Sequence, residues 1–136
     1  ETSPLTLLSL SLQLLQLMCQ GGHHNLQSFM SVQPFSIRPV DLVGEVLSLV
    51  ADIEPMLAVL LQLGDDMVPN VVADACDTLR AFSFGPHSGN QRALLAATLL
   101  DVTNRIFSNL EYDGGAMDHV RRRLRISVLD LLLTLL

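Results

Sequence analysis

Pro4-Leu5-Thr6-Leu7-Leu8-Ser9-Leu10-Ser11-Leu12-Gln13-Leu14-Leu15-Gln16-Leu17-Met18-Cys19 is the stretch that decides the fold. Thr6, Ser9, Gln13, Gln16 and Gln20 recur at alternating spacings of three and four, the period of one helical face. Leu5, Leu8, Leu12 and Leu15 form a second stripe, and Leu7, Leu10, Leu14 and Leu17 a third. A lone amphipathic helix needs one apolar stripe. Two predict a helix packed between neighbours, as in a solenoid. Ser3-Pro4 supplies an N-cap and a first-turn proline. Gly21-Gly22 supplies the stop.

The same reading extends along the chain. A short helix is predicted from about His24 to Val32, then a loop bracketed by Pro34 and Pro39. A helix over Val40–Ile53 follows, with Pro55 restarting a short one that ends at Gly64. Asp65 or Asp66 caps a helix to Phe84, and Gly85-Pro86 breaks it. Ser88 or Asn90 caps a long helix to Leu110 with Leu95, Leu99, Val102, Ile106 and Leu110 on one face. Asp101 and Arg105 stand one turn apart as a pair. Asp113-Gly114-Gly115 is a turn. A last helix from Ala116 lines up Met117, Val120, Leu124, Val128 and Leu131. The expected fold is all-α: an armadillo/HEAT-like stack of about six or seven helices without a clean internal sequence repeat. The expected core includes Leu15, Leu17, Leu26, Leu47, Leu79, Leu95, Leu99 and Val102.

Bulk properties agree. The 136 residues suit one domain, 1–136, with its own core. Aromatics are only 4% and Trp is absent, which favours helix-on-helix packing over a sandwich. Charged residues are 16%, below the usual level of about 25%. The mean hydropathy is +0.41, so some apolar surface is expected to meet the rest of a larger protein. The Leu-rich end, Leu131 to Leu136, predicts a fragment of a longer chain. The net charge of −6 argues against non-specific nucleic-acid binding. No segment reads as membrane-spanning: Gln13 and Gln16, then Asp52, Glu54 and Pro55, then Asp130 interrupt the apolar runs. Cys19 and Cys76 read as buried free thiols of a reducing compartment, with a disulfide left open.

Two fragments carry a resemblance. The first is Leu15-Gln16-Leu17-Met18-Cys19, a Gly/His turn, then Asn25-Leu26-Gln27-Ser28-Phe29-Met30. The second is Leu79 followed by Phe84-Gly85-Pro86-His87-Ser88-Gly89-Asn90-Gln91. In this order they resemble the RIH-associated domain of inositol trisphosphate receptors and ryanodine receptors, over about residues 7 to 110. The resemblance implies a cytosolic helical module of an intracellular, endoplasmic-reticulum-like calcium-release channel. It would lie between the ligand-sensing solenoid and the pore of a homotetrameric parent, help transmit activation, and have those neighbouring segments as its partners. The family also places an activating calcium site here. Its ligand positions fall on Gln20 and Ala81, and its supporting positions on Gly22 and Phe84. Calcium prefers several oxygens, commonly anionic. One amide and one methyl group predict a site that no longer functions in a fold that persists. No cofactor is implied.

Other constellations are weaker. Cys19, His23 and His24 have a ligand-like spacing, joined at most by Cys76, His87 and His119, but read better as a polar turn than as zinc ligands. Asp65, Asp66, Asp74 and Asp77 fit no EF-hand loop and read as caps and solvated face. Arg121, Arg122, Arg123 and Arg125 read as a solvated face or salt bridges rather than an anion site, with Asp118 near enough to pair with Arg121 or Arg122. Ser83-Phe84-Gly85 is not a nucleophile elbow, and no enzyme activity is expected. The alternative function is a generic armadillo/HEAT-like scaffold binding a protein partner.

Overall fold

In the computed structural model, residues 3–110, 115 and 117–136 are described. Among them the fold is all-helical: α1 (Pro4–Met18), α2 (His24–Ser31), α3 (Leu42–Gln62), α4 (Met67–Ser83), α5 (Ser88–Ala96), α6 (Leu99–Ser108) and α7 (Asp118–Leu135). The turn expected at Asp113-Gly114 and the helix start expected at Ala116 lie outside the described residues.

The architecture is organised around α4, which packs against α1, α3 and α7. Its buried run includes Val71, Val72, Ala73, Ala75, Cys76 and Leu79. Small side chains at Ala73, Ala75, Cys76 and Thr78 let flanking helices approach closely, and interiors tolerate few voids. α3 also packs against α5 and α6, α5 touches α4 as well, and α2 bridges α3, α4 and α5. Leu57, Leu61, Leu94, Leu99, Ile106, Leu124, Val128 and Leu131 complete the core.

Most boundaries follow local chemistry. Ser3 Oγ accepts from the Thr6 N–H at 3.2 Å. Asp41 Oδ1 caps α3 through the Gly44 N–H at 3.1 Å. Asp65 Oδ1 accepts from the Met67 N–H at 2.9 Å, so Asp65 rather than Asp66 serves α4. Gly21 and Gly22 stop α1 with φ of 77° and 74°, the left-handed region that favours glycine.

Four expectations need correction. Pro55 does not divide α3, which runs unbroken through it. A proline there removes the hydrogen bond to the carbonyl one turn back. Burial of Val50, Leu57 and Leu61 on both sides of it offsets that cost. The expected helix from Ser88 to Leu110 is two helices, because Ala97 is extended (φ −88°, ψ −165°). Asn90 is buried and fixes the rotation of α5, so Leu94 one turn on faces inward and Leu95 outward. The break resets the phase so that Leu99, Val102 and Ile106 still reach the core. His87, not Ser88 or Asn90, caps α5.

Third, α1 is covered on one side only. Leu12 is buried and Leu5, Leu8 and Leu15 pack on the core. Leu7, Leu10, Leu14 and Leu17 are all more than half exposed. Leu17 therefore leaves the expected core, as does Leu95. The polar stripe, not the third leucine stripe, turns toward α4: Ser9 Oγ donates to Asp74 Oδ2, and Gln16 Nε2 reaches the Asp74 carbonyl and Thr78 Oγ1, both at 3.1 Å. Fourth, Arg105 pairs across helices with Glu54, at 2.8 Å, and not with Asp101. The Glu54 side chain is only 5% exposed, so it requires a cation that an exposed Asp101 does not.

Candidate functional site

A cleft of about 800 Å3 opens where the end of α1 passes the end of α4. Gln16, Leu17 and Gln20 wall one side, Asp77, Arg80, Ala81 and Phe84 the floor, and Asp130 of α7 the other side. Gln20, Ala81 and Phe84 thus share one cleft. Gly22 is beside them: a β-carbon built on it would lie 3.5 Å from the Phe84 carbonyl oxygen. The four positions reached from two distant fragments therefore converge in space.

The groups they present are few. Gln20 is exposed at the rim. Ala81 offers a methyl group, and its carbonyl already accepts from Gln27 Nε2 at 2.9 Å. Arg80 stacks its guanidinium over the Phe84 ring, 5.3 Å from the centroid, which adds a fixed positive charge. Desolvation pushes the Asp77 carboxyl up, Asp74 and Asp130 add to the shift, and the Ser127 hydrogen bond and Arg123 oppose it. Burial pushes the Cys19 thiol to about 11 and the Cys76 thiol to about 12, which keeps both protonated and unreactive at neutral pH. Both cysteines are free.

Sequence reasoning missed the structural role of this end of α4. The last carbonyls of a helix lack partners within it. Here three side-chain amides supply them. Gln27 Nε2 donates to the Ala81 and Phe84 carbonyls at 2.9 and 2.8 Å. Asn90 Nδ2 donates to the Phe82 carbonyl at 2.8 Å and to the Gln27 carbonyl at 2.9 Å. Gln91 Nε2 donates to the Ser83 and Gly85 carbonyls at 2.9 and 2.8 Å. Ser31 Oγ completes Asn90 by donating to Oδ1 at 2.9 Å. Gln27 belongs to the first fragment and Asn90-Gln91 to the second, so each fragment needs the other. The available signal was a glutamine inside a short apolar helix and an Asn-Gln pair just past Gly-Pro.

The remaining candidates disperse into structural roles. His23 Nδ1 accepts from the Leu26 N–H at 3.4 Å and caps α2. His24 lies against His87, with ring centroids 4.5 Å apart. His119 is exposed on α7 and Cys76 is buried in α4. Among the described residues no three His, Cys, Asp or Glu side chains are grouped to hold a metal ion. Asp74 meets Arg123 at 2.6 Å, and Asp77 lies 3.8 Å from the same guanidinium. Arg122 pairs with Asp118 at 3.3 Å. Arg121 reaches the Asn109 carbonyl at 3.3 Å, and Arg125 donates to the Leu110 carbonyl. Arg121, Arg123 and Arg125 therefore tie α7 to its surroundings, while Arg122 pairs within it. No helix among the described residues is long and apolar enough to cross a membrane.

Comparison with curated proteins and with solved structures returns no match. The family model RIH_assoc, "RyR and IP3R Homology associated", matches residues 3–107. It spans both fragments, the amide-capped end of α4 and the cleft's lining apart from Asp130. The chain belongs to this RyR and IP3R Homology associated family.

Proposed function

We propose that the chain is the RIH-associated module, residues 1–136, of a larger calcium-release-channel protein, on the cytosolic side of an intracellular membrane. Its work is mechanical: it holds neighbouring solenoid and pore segments of a homotetrameric parent and passes conformational change between them without sensing calcium itself. Family membership carries the first part of this reading. The leucine stripe of α1 supports the second, since Leu7, Leu10, Leu14 and Leu17 are 55–66% exposed at helical spacing and suit burial under an adjoining helix.

The cleft supports the third part. A calcium ion takes about six to eight oxygens. The family's ligand positions here supply the Gln20 amide alone, Ala81 has no side-chain oxygen, and the Arg80 guanidinium repels a cation. Calorimetric titration of the chain with calcium tests the reading. We expect no saturable heat in the micromolar range and no change in melting temperature. Saturable micromolar binding that disappears in Gln20→Ala would refute calcium silence.

A further inference from the structure

Ser3, Asp41 and Asp65 serve the starts of α1, α3 and α4 with a hydroxyl or a carboxylate, the usual caps. The starts of α2 and α5 differ. Each is capped by an imidazole through Nδ1: His23 accepts from the Leu26 N–H at 3.4 Å, and His87 from the Asn90 N–H at 3.1 Å. A ring nitrogen accepts only while it holds no proton. A protonated imidazole has two N–H donors and no acceptor, so it cannot cap. Its charge would also sit at the positive end of the helix dipole.

These two helices carry the amides that finish α4. Gln27 lies on α2, and Asn90 and Gln91 on α5; together they cover the carbonyls of Ala81, Phe82, Ser83, Phe84 and Gly85. His87 also ties the two helices together. It is 6% exposed, its Nε2 meets Ser28 Oγ of α2 at 2.9 Å, and its ring lies against His24 of α2. One imidazole thus holds the first turn of α5 and the side of α2 at once, and does so only with its proton on Nε2.

The surroundings offer little to an imidazolium. No Asp or Glu occurs from Cys19 to Val40 or from Thr78 to Leu100. α1 has no charged residue, and the charged side chains at the end of α4 and on α5 are the cations Arg80 and Arg92. On α3, which packs against both helices, Glu54 pairs with Arg105, while Glu45 and Asp52 are exposed. Asp77 and Asp130 line the cleft, whose walls include neither capping histidine. Among the described residues His24 is the one charged or titratable group that bears on His87, and it opposes a proton there.

We infer that His23 and His87 form a paired proton switch: a proton taken from solvent onto either Nδ1 uncaps its helix, loosens the amides over the end of α4 and opens the junction between the two fragments. The inference concerns the chain itself and does not rest on the coupling role. Opening of this kind is local, below the cost of unfolding the whole molecule. A histidine that takes its proton only in the open state, at the ordinary value of about 6.5, favours opening up to about tenfold at pH 5.5.

Amide hydrogen exchange of the chain at pH 7.5 and 5.5, read by NMR and corrected for the intrinsic rate, tests it. Protection in α2 and α5 should fall several-fold on acidification. At both pH values these helices should exchange ahead of the buried middle of α4. Asparagine keeps an accepting oxygen and does not titrate. His23→Asn with His87→Asn should therefore reduce the fall to less than about twofold, and each single variant should remove part of it. Ser28→Ala should lower protection at both pH values but keep the fall. Wild-type protection that changes less than about twofold overturns the inference. So does a fall undiminished in the asparagine variants, one abolished by Ser28→Ala, or a middle of α4 that exchanges as fast as α2 and α5.

Discussion

Replacing Asn90 by alanine should cost more than any change to the chain's exposed polar residues. Asn90 is 1% exposed and makes three side-chain hydrogen bonds: two donated to the Phe82 and Gln27 carbonyls and one accepted from Ser31. Each such bond contributes about 1 kcal/mol net, and a buried carbonyl left without a partner raises the loss. The sum is about 3–4 kcal/mol, a large share of a total stability of about 5–15 kcal/mol. Gln91 supplies the control. It also donates to two carbonyls, but it is only half-buried and one of its bonds is exposed. Water replaces what Gln91→Ala removes, so that variant should lose only about 1 kcal/mol. Asn90→Asp sharpens the test. It keeps the shape and the Ser31 acceptor but turns a carboxylate toward two carbonyl oxygens, and should be worse than alanine at neutral pH and partly recover on acidification. The assay is urea unfolding followed by circular dichroism at constant m-value. Asn90→Ala within 1 kcal/mol of wild type, or no costlier than Gln91→Ala, would refute the amide cap as the lock between the two fragments.

Three further outcomes follow from the same structure. Arg123→Ala strands Asp74, whose side chain is 7% exposed; because Arg123 is itself 40% exposed, the loss should be about 2 kcal/mol, and Asp74→Asn in that background should recover part of it in urea unfolding. Burial and the neighbouring His24 lower the His87 pKa below its ordinary 6.5. Its Nδ1 accepts from the Asn90 N–H at 3.1 Å, so Nε2 holds the proton and donates to Ser28 Oγ at 2.9 Å. Below about pH 6.5 the unfolded chain takes up a proton that the folded chain refuses, so stability should fall with pH until the folded-state pKa is passed. His87→Gln should flatten that decline in unfolding curves run at successive pH values, and an unchanged slope would contradict the assignment. Pro55→Ala returns an N–H to the middle of α3 and should raise stability by about 1 kcal/mol, read as a higher urea midpoint.

Helix identity was legible where caps and glycine or proline breakers bounded a segment, as at α1, α2 and α4, and where period-3.6 stripes ran along it, as at α1 and α7. It failed where tertiary packing overrode local signals. Nothing in Leu94-Leu95 says which leucine faces inward; Asn90, anchored to α2 and α4, decides it. Nothing around Pro55 says that α3 continues; the apolar residues flanking it decide that. The third stripe of α1 reads as a packed face in the sequence, yet within this chain it faces solvent. The cleft was legible only through the resemblance, which supplied Gln20, Ala81, Gly22 and Phe84 from segments far apart in sequence. The amide cap was not legible, because a side chain's carbonyl partners are set by how helices meet.

The coupling role is tested most directly by an experimental structure of the complete parent protein. The account predicts helices of an adjoining segment laid over Leu7, Leu10, Leu14 and Leu17, with the Gln20–Ala81 cleft empty of calcium at millimolar calcium. A leucine stripe facing water in the intact assembly, or a calcium ion bound between Gln20 and the end of α4, would contradict it.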